Sequence, residues 1–89
     1  MYFQMTPIEL KNVKKGDVFY ERGGLDWYKF EALEDCRYKG DIEIQDKFYK
    51  QYIVNVRNEF QEETYLLHTE CLPHYAKQYY TNGNDRPAV

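Results

Sequence analysis

The chain contains no serine, which excludes every serine-nucleophile mechanism at once. Its two cysteines, Cys36 and Cys71, are too few for a disulfide framework and fit a reduced, cytoplasmic protein. No apolar run approaches the ~20 residues of a membrane-spanning helix, and no charged-then-apolar signal region is present, so no membrane partner is expected. Gly23-Gly24 stands alone between strand-like runs, where a phosphate loop needs a longer glycine pattern opening a helix. A basic excess is also missing. With a net charge of −3, the chain lacks the electrostatic footprint of a general nucleic-acid binder. Its acids are too thin for a duplex mimic, which must reproduce a charge every ~1.7 Å of helix axis. Aliphatic side chains are scarce as well, at fifteen Ile, Leu and Val together.

Aromatic residues fill that gap. Sixteen Phe, Tyr and Trp outnumber the aliphatics, and ten of them are tyrosines. Each ring can bury about 150–250 Å², so a small core can be built on them, but each buried phenol needs a hydrogen-bond partner. A chain of 89 residues makes one domain and cannot enclose ten phenols. Several tyrosines are therefore expected at the surface, where Tyr and Trp dominate binding hot spots. The plainer reading is that tyrosine serves as a strand residue with one wet end. Charge is uneven along the chain: Asp26 to Asp46 carries seven acids against three bases, and Lys47 to Arg57 three bases and no acid.

The pattern is one of strands. Tyr52, Val54 and Val56 alternate with Gln51, Ile53, Asn55 and Arg57, the period of a half-buried strand over 48–57. The polar stretch Asn58 to Glu63 has hairpin length and leads into a return strand over 64–68. Asp17 to Arg22 reads as a first strand, closed by Gly23-Gly24. Trp27 to Cys36 reads as a second, with a bulge or a change of buried face at Ala32-Leu33. After a turn at Tyr38 to Asp41, residues 41–45 form a third, edge-like strand. Thr6-Pro7-Ile8-Glu9 carries a helix-start signal, with Ile8 and Val13 anchoring that turn on the barrel. A second short helix or 3₁₀ turn is expected over Leu72 to Tyr80, started by Pro73 and spaced by Leu72, Tyr75, Ala76 and Tyr79. Residues 81–89 read as a turn-rich tail without core residues. Met1 to Gln4 resembles the end of a protease-cleavage tag, with Met5 as an alternative start, and stays outside functional reasoning. The expected whole is a mostly β, five-stranded SH3-like barrel over residues 5–80, with a short N-terminal helical turn and a short C-terminal helix. An OB-like barrel is the alternative.

Lys14-Lys15-Gly16-Asp17-Val18-Phe19-Tyr20-Glu21 resembles the opening of many SH3-like barrels. Taken with Lys29-Phe30-Glu31-Ala32-Leu33-Glu34, Tyr65-Leu66-Leu67-His68-Thr69-Glu70 and His74-Tyr75, the chain is similar to short, uncharacterised SH3-like barrel proteins encoded by bacteriophages. Ala76-Lys77 departs from that pattern, standing where glycine would follow His74-Tyr75. The resemblance carries over no catalytic or ligand-binding residue. What it implies is a mode of action, since small phage proteins often bind and block host machinery in the bacterial cytoplasm.

Three chemistries can be weighed on named residues. Cys36, His68, Cys71 and His74 have the composition of a tetrahedral zinc site. No paired Cys-x₂-Cys knuckle accompanies them, and an ordinary buried Cys71 beside a partly exposed His74 explains them as well, so no metal is expected. Cys71 and His74 have the spacing of a nucleophile and base, but a domain this small has little room for a water-excluding cleft. The neighbouring acids Glu34-Asp35 and Glu62-Glu63 would point to opposite faces of a strand and read as solubilising charge. Neither an enzyme nor a cofactor is expected.

The composition instead favours a non-enzymatic binding module, an inhibitor that occludes a host bacterial protein or complex of the anti-defence kind. The exposed members of Trp27, Tyr38, Tyr49, Tyr75 and Tyr79 would make the contact, tuned by the acids between 31 and 46. One alternative is an oligomeric protein that sequesters a small ligand or nucleotide between subunits. Another is a single-strand nucleic-acid barrel, stacking bases on Trp27, Tyr28, Tyr38 and Tyr49 beside Lys47, Lys50 and Arg57. The third strand is also a candidate edge for pairing with another chain, a second copy included.

Overall fold

Period-2 alternation is realised as a single antiparallel sheet of seven strands in the computed structural model, which describes residues 5–70 and 79–82. The strands are β1 (Met5–Ile8), β2 (Val18–Gly23), β3 (Asp26–Ala32), β4 (Arg37–Ile44), β5 (Lys47–Asn58), β6 (Glu63–Thr69) and β7 (Tyr79–Asn82). A single 3₁₀ turn, Leu10–Asn12, links β1 to β2. The spatial order is β1-β7-β2-β3-β5-β4, with β6 paired to β5 off this path. The sheet curls into a half-barrel.

Strand β5 organises the sheet. Its 12 residues span about 40 Å at ~3.3 Å per residue, close to the longest dimension of 46 Å. On one edge, Lys47 to Ile53 pair with β4 and Val56 to Asn58 with β3. On the other, Gln51 to Arg57 pair with β6. β3 and β4 are therefore two halves of one broken strand laid along β5. The break at Leu33 to Cys36 is tied down by backbone bonds from Leu33 N to Asn55 O and Cys36 N to Val13 O, both 2.9 Å. The Glu34 carboxylate accepts from Asn55 N at 3.2 Å. Such an interruption is what the disturbed alternation at Ala32-Leu33 signalled.

The even-numbered residues of β5 face inward. Val54 and Val56 are fully buried, in one cluster with Leu10, Val13, Phe19, Ala32 and Tyr79; Ile8, Phe30, Cys36 and Leu66 pack against it. The Phe19 ring lies 6.0 Å from Phe30 and meets Tyr79 edge-on at 5.7 Å. Truncating a buried Phe to Ala costs about 3–5 kcal/mol, so this cluster carries much of the stability.

All five expected strands are present, and the Asn58 to Glu63 connection is a hairpin. Its turn is built by Asn58 Oδ1, which accepts from the N–H of Phe60 and of Glu62, both at 2.9 Å. Two more strands were hidden. The helix-start signal at Thr6-Pro7 goes unused, because residues 5–8 pair with β7 instead. Pro7 is tolerated there since β1 ends the sheet and one side of it needs no donors. The helical turn comes later, at Leu10–Asn12, and puts Leu10 and Val13 into the core.

Tyr79 and Tyr80, expected to end a helix, and Thr81 and Asn82, expected in a tail, form β7 between β1 and β2. Tyr79 and Asn82 are buried by that position, so pairing on both sides overrides the helical spacing. The expected turn at Tyr38 to Asp41 is also corrected. It lies inside β4, where the register against β5 shifts between Tyr38 and Gly40. Gly40 takes a φ of +138°, which side chains rarely adopt. Met1 to Gln4, residues 72–78 of the helix expected over Leu72 to Tyr80, and the tail beyond 82 lie outside the described residues. Among the described residues, no helix is long and apolar enough to cross a membrane.

Candidate binding face

Because Val54 and Val56 point inward, Lys47, Tyr49, Gln51, Ile53, Asn55 and Arg57 point to the opposite, outer face. Cross-strand partners share a face. Ile42 stands opposite Tyr49, Leu67 opposite Ile53, and Tyr65 opposite Asn55. With Ile44 two residues beyond Ile42, these residues form an apolar stripe across β4, β5 and β6 on the side away from the core. Tyr65 is 57% exposed, Leu67 41% and Ile44 40%. Gln51 Nε2 donates to Thr69 Oγ1 at 3.0 Å within the stripe, so this polar pair is satisfied internally. A surface antiparallel sheet ordinarily shows polar side chains outward; this one carries a run of apolar side chains among the polar ones of its outer face. The signal was in the sequence: Ile53 interrupts the polar set of β5, and Ile42 and Ile44 share one parity.

Beyond Gln51, β5 has no β6 partner in the ladder, and the β4–β5 hairpin projects as a two-stranded arm. Its tip, Gln45-Asp46, has φ of 50° and 65° at both positions, the backbone of a tight type I′ connection made without glycine. Phe48 lies on the arm's inner side, continuing the row of Tyr52, Val54 and Val56, yet is 71% exposed because the core stops short of it. Next to it Lys50 faces Asp41, and Tyr38 faces Tyr52 with ring centroids 5.9 Å apart. Tyr38 Oη donates to the Asp41 carboxylate. That bond, first, and burial second raise the Tyr38 phenol above its ordinary value.

Of the five rings singled out from sequence, the four among the described residues are not brought together. Tyr49 lies on the arm and Tyr38 at its base opposite Tyr52, on the other face. Trp27 lies elsewhere, edge-on to Tyr80 at 5.2 Å with the Arg22 guanidinium 5.4 Å over its ring. Tyr79 leaves the contact set: it is 2% exposed, and burial followed by the Glu21 charge raises its phenol well above the ordinary range. Tyr75 lies outside the described residues. Missed from sequence were Ile42, Ile44, Ile53, Leu67 and Tyr65, the residues of the stripe.

The basic residues considered for nucleic acid are dispersed, and two of the three stand beside acids. Lys50 opposes Asp41, and Arg57 lies 3.7 Å from Glu31 and 3.5 Å from Glu63. Lys47 stands on the outer face opposite Ile44. No continuous basic track joins them. Among the described residues, grooves of about 320 and 330 Å³ sit on the outer face at Val18, Lys29, Glu31 and Arg57 and at Leu33, Asn55 and Tyr65.

Of the residues considered for zinc, Cys36 lies at the β3–β4 break, its thiol pushed up chiefly by burial. His68 lies on β6 opposite Tyr52. Cys71 and His74 are outside the described residues, and among those described no three metal-binding side chains converge. No family model, curated protein or solved structure matches the chain.

Proposed function

We propose that this protein is a non-enzymatic binding module that occludes a surface of another protein. The observation that carries the reading is the apolar stripe Ile42, Ile44, Tyr49, Ile53, Leu67 and Tyr65 on the face opposite the core, prolonged by an arm bearing Phe48. A stripe of this kind, rimmed by charge, has the make-up of a protein contact. The resemblance to small SH3-like phage proteins gives the direction of search: a host bacterial protein or complex, met in the cytoplasm. A stacked-base or nucleotide-binding role is less well supported, because the described rings and basic side chains it requires are scattered.

The test is affinity capture from bacterial lysate with the wild type and with Ile44→Lys/Phe48→Lys. Retention of one protein by the wild type alone supports the reading. A nucleotide released from the wild type on heating, or equal capture by both forms, overturns it.

A further inference from the structure

Among the described residues the edges of β1, β4 and β6 are open along the whole strand, besides the short stretch of β5 from Lys47 to Tyr49 that β6 does not reach. Proteins normally guard such edges. β1 carries Pro7, and β4 carries a register break with Arg37, Lys39, Asp41 and Glu43. β6 has neither. Its sequence from Glu63 to Thr69 has no proline, glycine or bulge, and only Glu63 is a formal charge at neutral pH. Arg57 stands 3.5 Å from Glu63.

We propose that β6 pairs antiparallel with β6 of a second copy, about a two-fold axis through Leu66. The ladder register gives the geometry. Glu70 N donates to Lys50 O, and Asn58 N to Glu62 O, both at 2.9 Å, so the even-numbered residues of this strand turn their backbone groups toward β5. By alternation, the N–H and C=O of Glu63, Tyr65, Leu67 and Thr69 point out of the sheet. An axis at Leu66 sets Tyr65 against the partner's Leu67 and Glu63 against the partner's Thr69, which uses every outward group of the strand. An axis at Tyr65 or Leu67 leaves some of those groups unused.

The side chains agree with the same register. On the outer face Tyr65 meets the partner's Leu67, an aromatic–aliphatic pair. On the inner face Thr64 meets the partner's His68, and Leu66 meets its own copy. No like charges stand opposite within the strand. Beyond its ends Glu62 approaches the partner's Glu70, but Lys11 holds Glu70 at 3.1 Å. The same operation on β4, with its bulged Lys39 left out of the register, would set Asp41 against itself, which explains why the third strand, the edge first suspected from sequence, is the poorer one. Pairing at β6 also joins the apolar stripes of two copies into one surface.

The inference shares Tyr65 and Leu67 with the occlusion reading, and the two are told apart by Ile44 and Phe48, which lie on the arm and take no part in the pair. Light scattering on a sizing column should give twice the chain mass of 10.9 kDa, for the wild type and for Ile44→Lys/Phe48→Lys alike. Leu67→Pro removes an N–H that serves only the open edge and should give a folded monomer by circular dichroism. A second readout does not depend on that variant. With Cys36 and Cys71 replaced by alanine, Leu66→Cys should cross-link on oxidation, since facing Cα atoms at a non-hydrogen-bonded position lie about 4.5 Å apart. Thr64→Cys should not, its copies being displaced by about 13 Å along the strands. A monomeric wild type at about 100 µM, about a hundredfold above the ~1 µM Kd of a modest dimer, would overturn the proposal. So would a dimer that survives Leu67→Pro, or equal cross-linking at both positions.

Discussion

The two ends of β5 are made of similar residues and live in different surroundings. From Val54 to Asn58 the strand has neighbours on both edges and the core beneath it; from Lys47 to Tyr49 it has β4 alone, and its inner face is bare. Phe48 and Val54 point the same way six residues apart, one 71% exposed and the other fully buried. The difference teaches that parity along a strand fixes which way a side chain points, while the neighbours decide whether anything meets it. The covered end holds the fold. The bare end is available for contact.

The sharpest way to break this contrast is to truncate one ring at each end. Phe19→Ala should lower the unfolding free energy by about 3–5 kcal/mol in urea, whereas Phe48→Ala should change it by less than about 0.5 kcal/mol. Comparable losses would mean that the arm is part of the core. Gly40→Ala comes next in size. At its φ of +138° a Cβ is strained, although no atom lies within 4 Å to clash, and the expected cost is about 1–3 kcal/mol. Amide exchange should quicken across residues 41–50 and stay unchanged at Val54 and Val56; uniform quickening would show one cooperative unit.

Alkaline pH separates the ends by charge. The fold keeps Tyr79 protonated, while the unfolded chain ionises it near the ordinary 10.0. Its contribution is therefore full below pH 10 and drains away as pH rises beyond that value. Tyr79→Phe should flatten the fall in stability above pH 10, and an unchanged fall would place its cause in other tyrosines. The smallest effect should come from the arm's tip. Asp46→Gly relieves the positive φ of 65° and should slow exchange in the arm, with a gain of no more than about 1 kcal/mol.

Much of the strand content was legible because β2 to β6 carry period-2 alternation or turn residues at their ends. β1 and β7 were not. Thr6-Pro7 and the spacing of Tyr75, Ala76 and Tyr79 satisfy helical rules locally, and only pairing between chain segments some seventy residues apart makes 5–8 and 79–82 strands. The candidate face was half legible. Tyrosine excess pointed to exposed rings, and Tyr38, Tyr49 and Tyr65 are at least partly exposed, but the stripe is mostly isoleucine and leucine. It emerges only when β4 and β6 are set in register beside β5, because residues weakly apolar in sequence become one surface across three strands. Tyr79 shows the converse, a ring counted as surplus that the core takes in beside Phe19.

The most direct test is a single comparison of urea unfolding and partner capture for Ile44→Lys/Tyr65→Lys/Leu67→Lys against the wild type. If the outer stripe serves contact and not folding, the expected outcome is an unfolding free energy within about 1.5 kcal/mol of the wild type, together with lost capture. A chain that no longer folds, or one that still captures its partner in full, would contradict it.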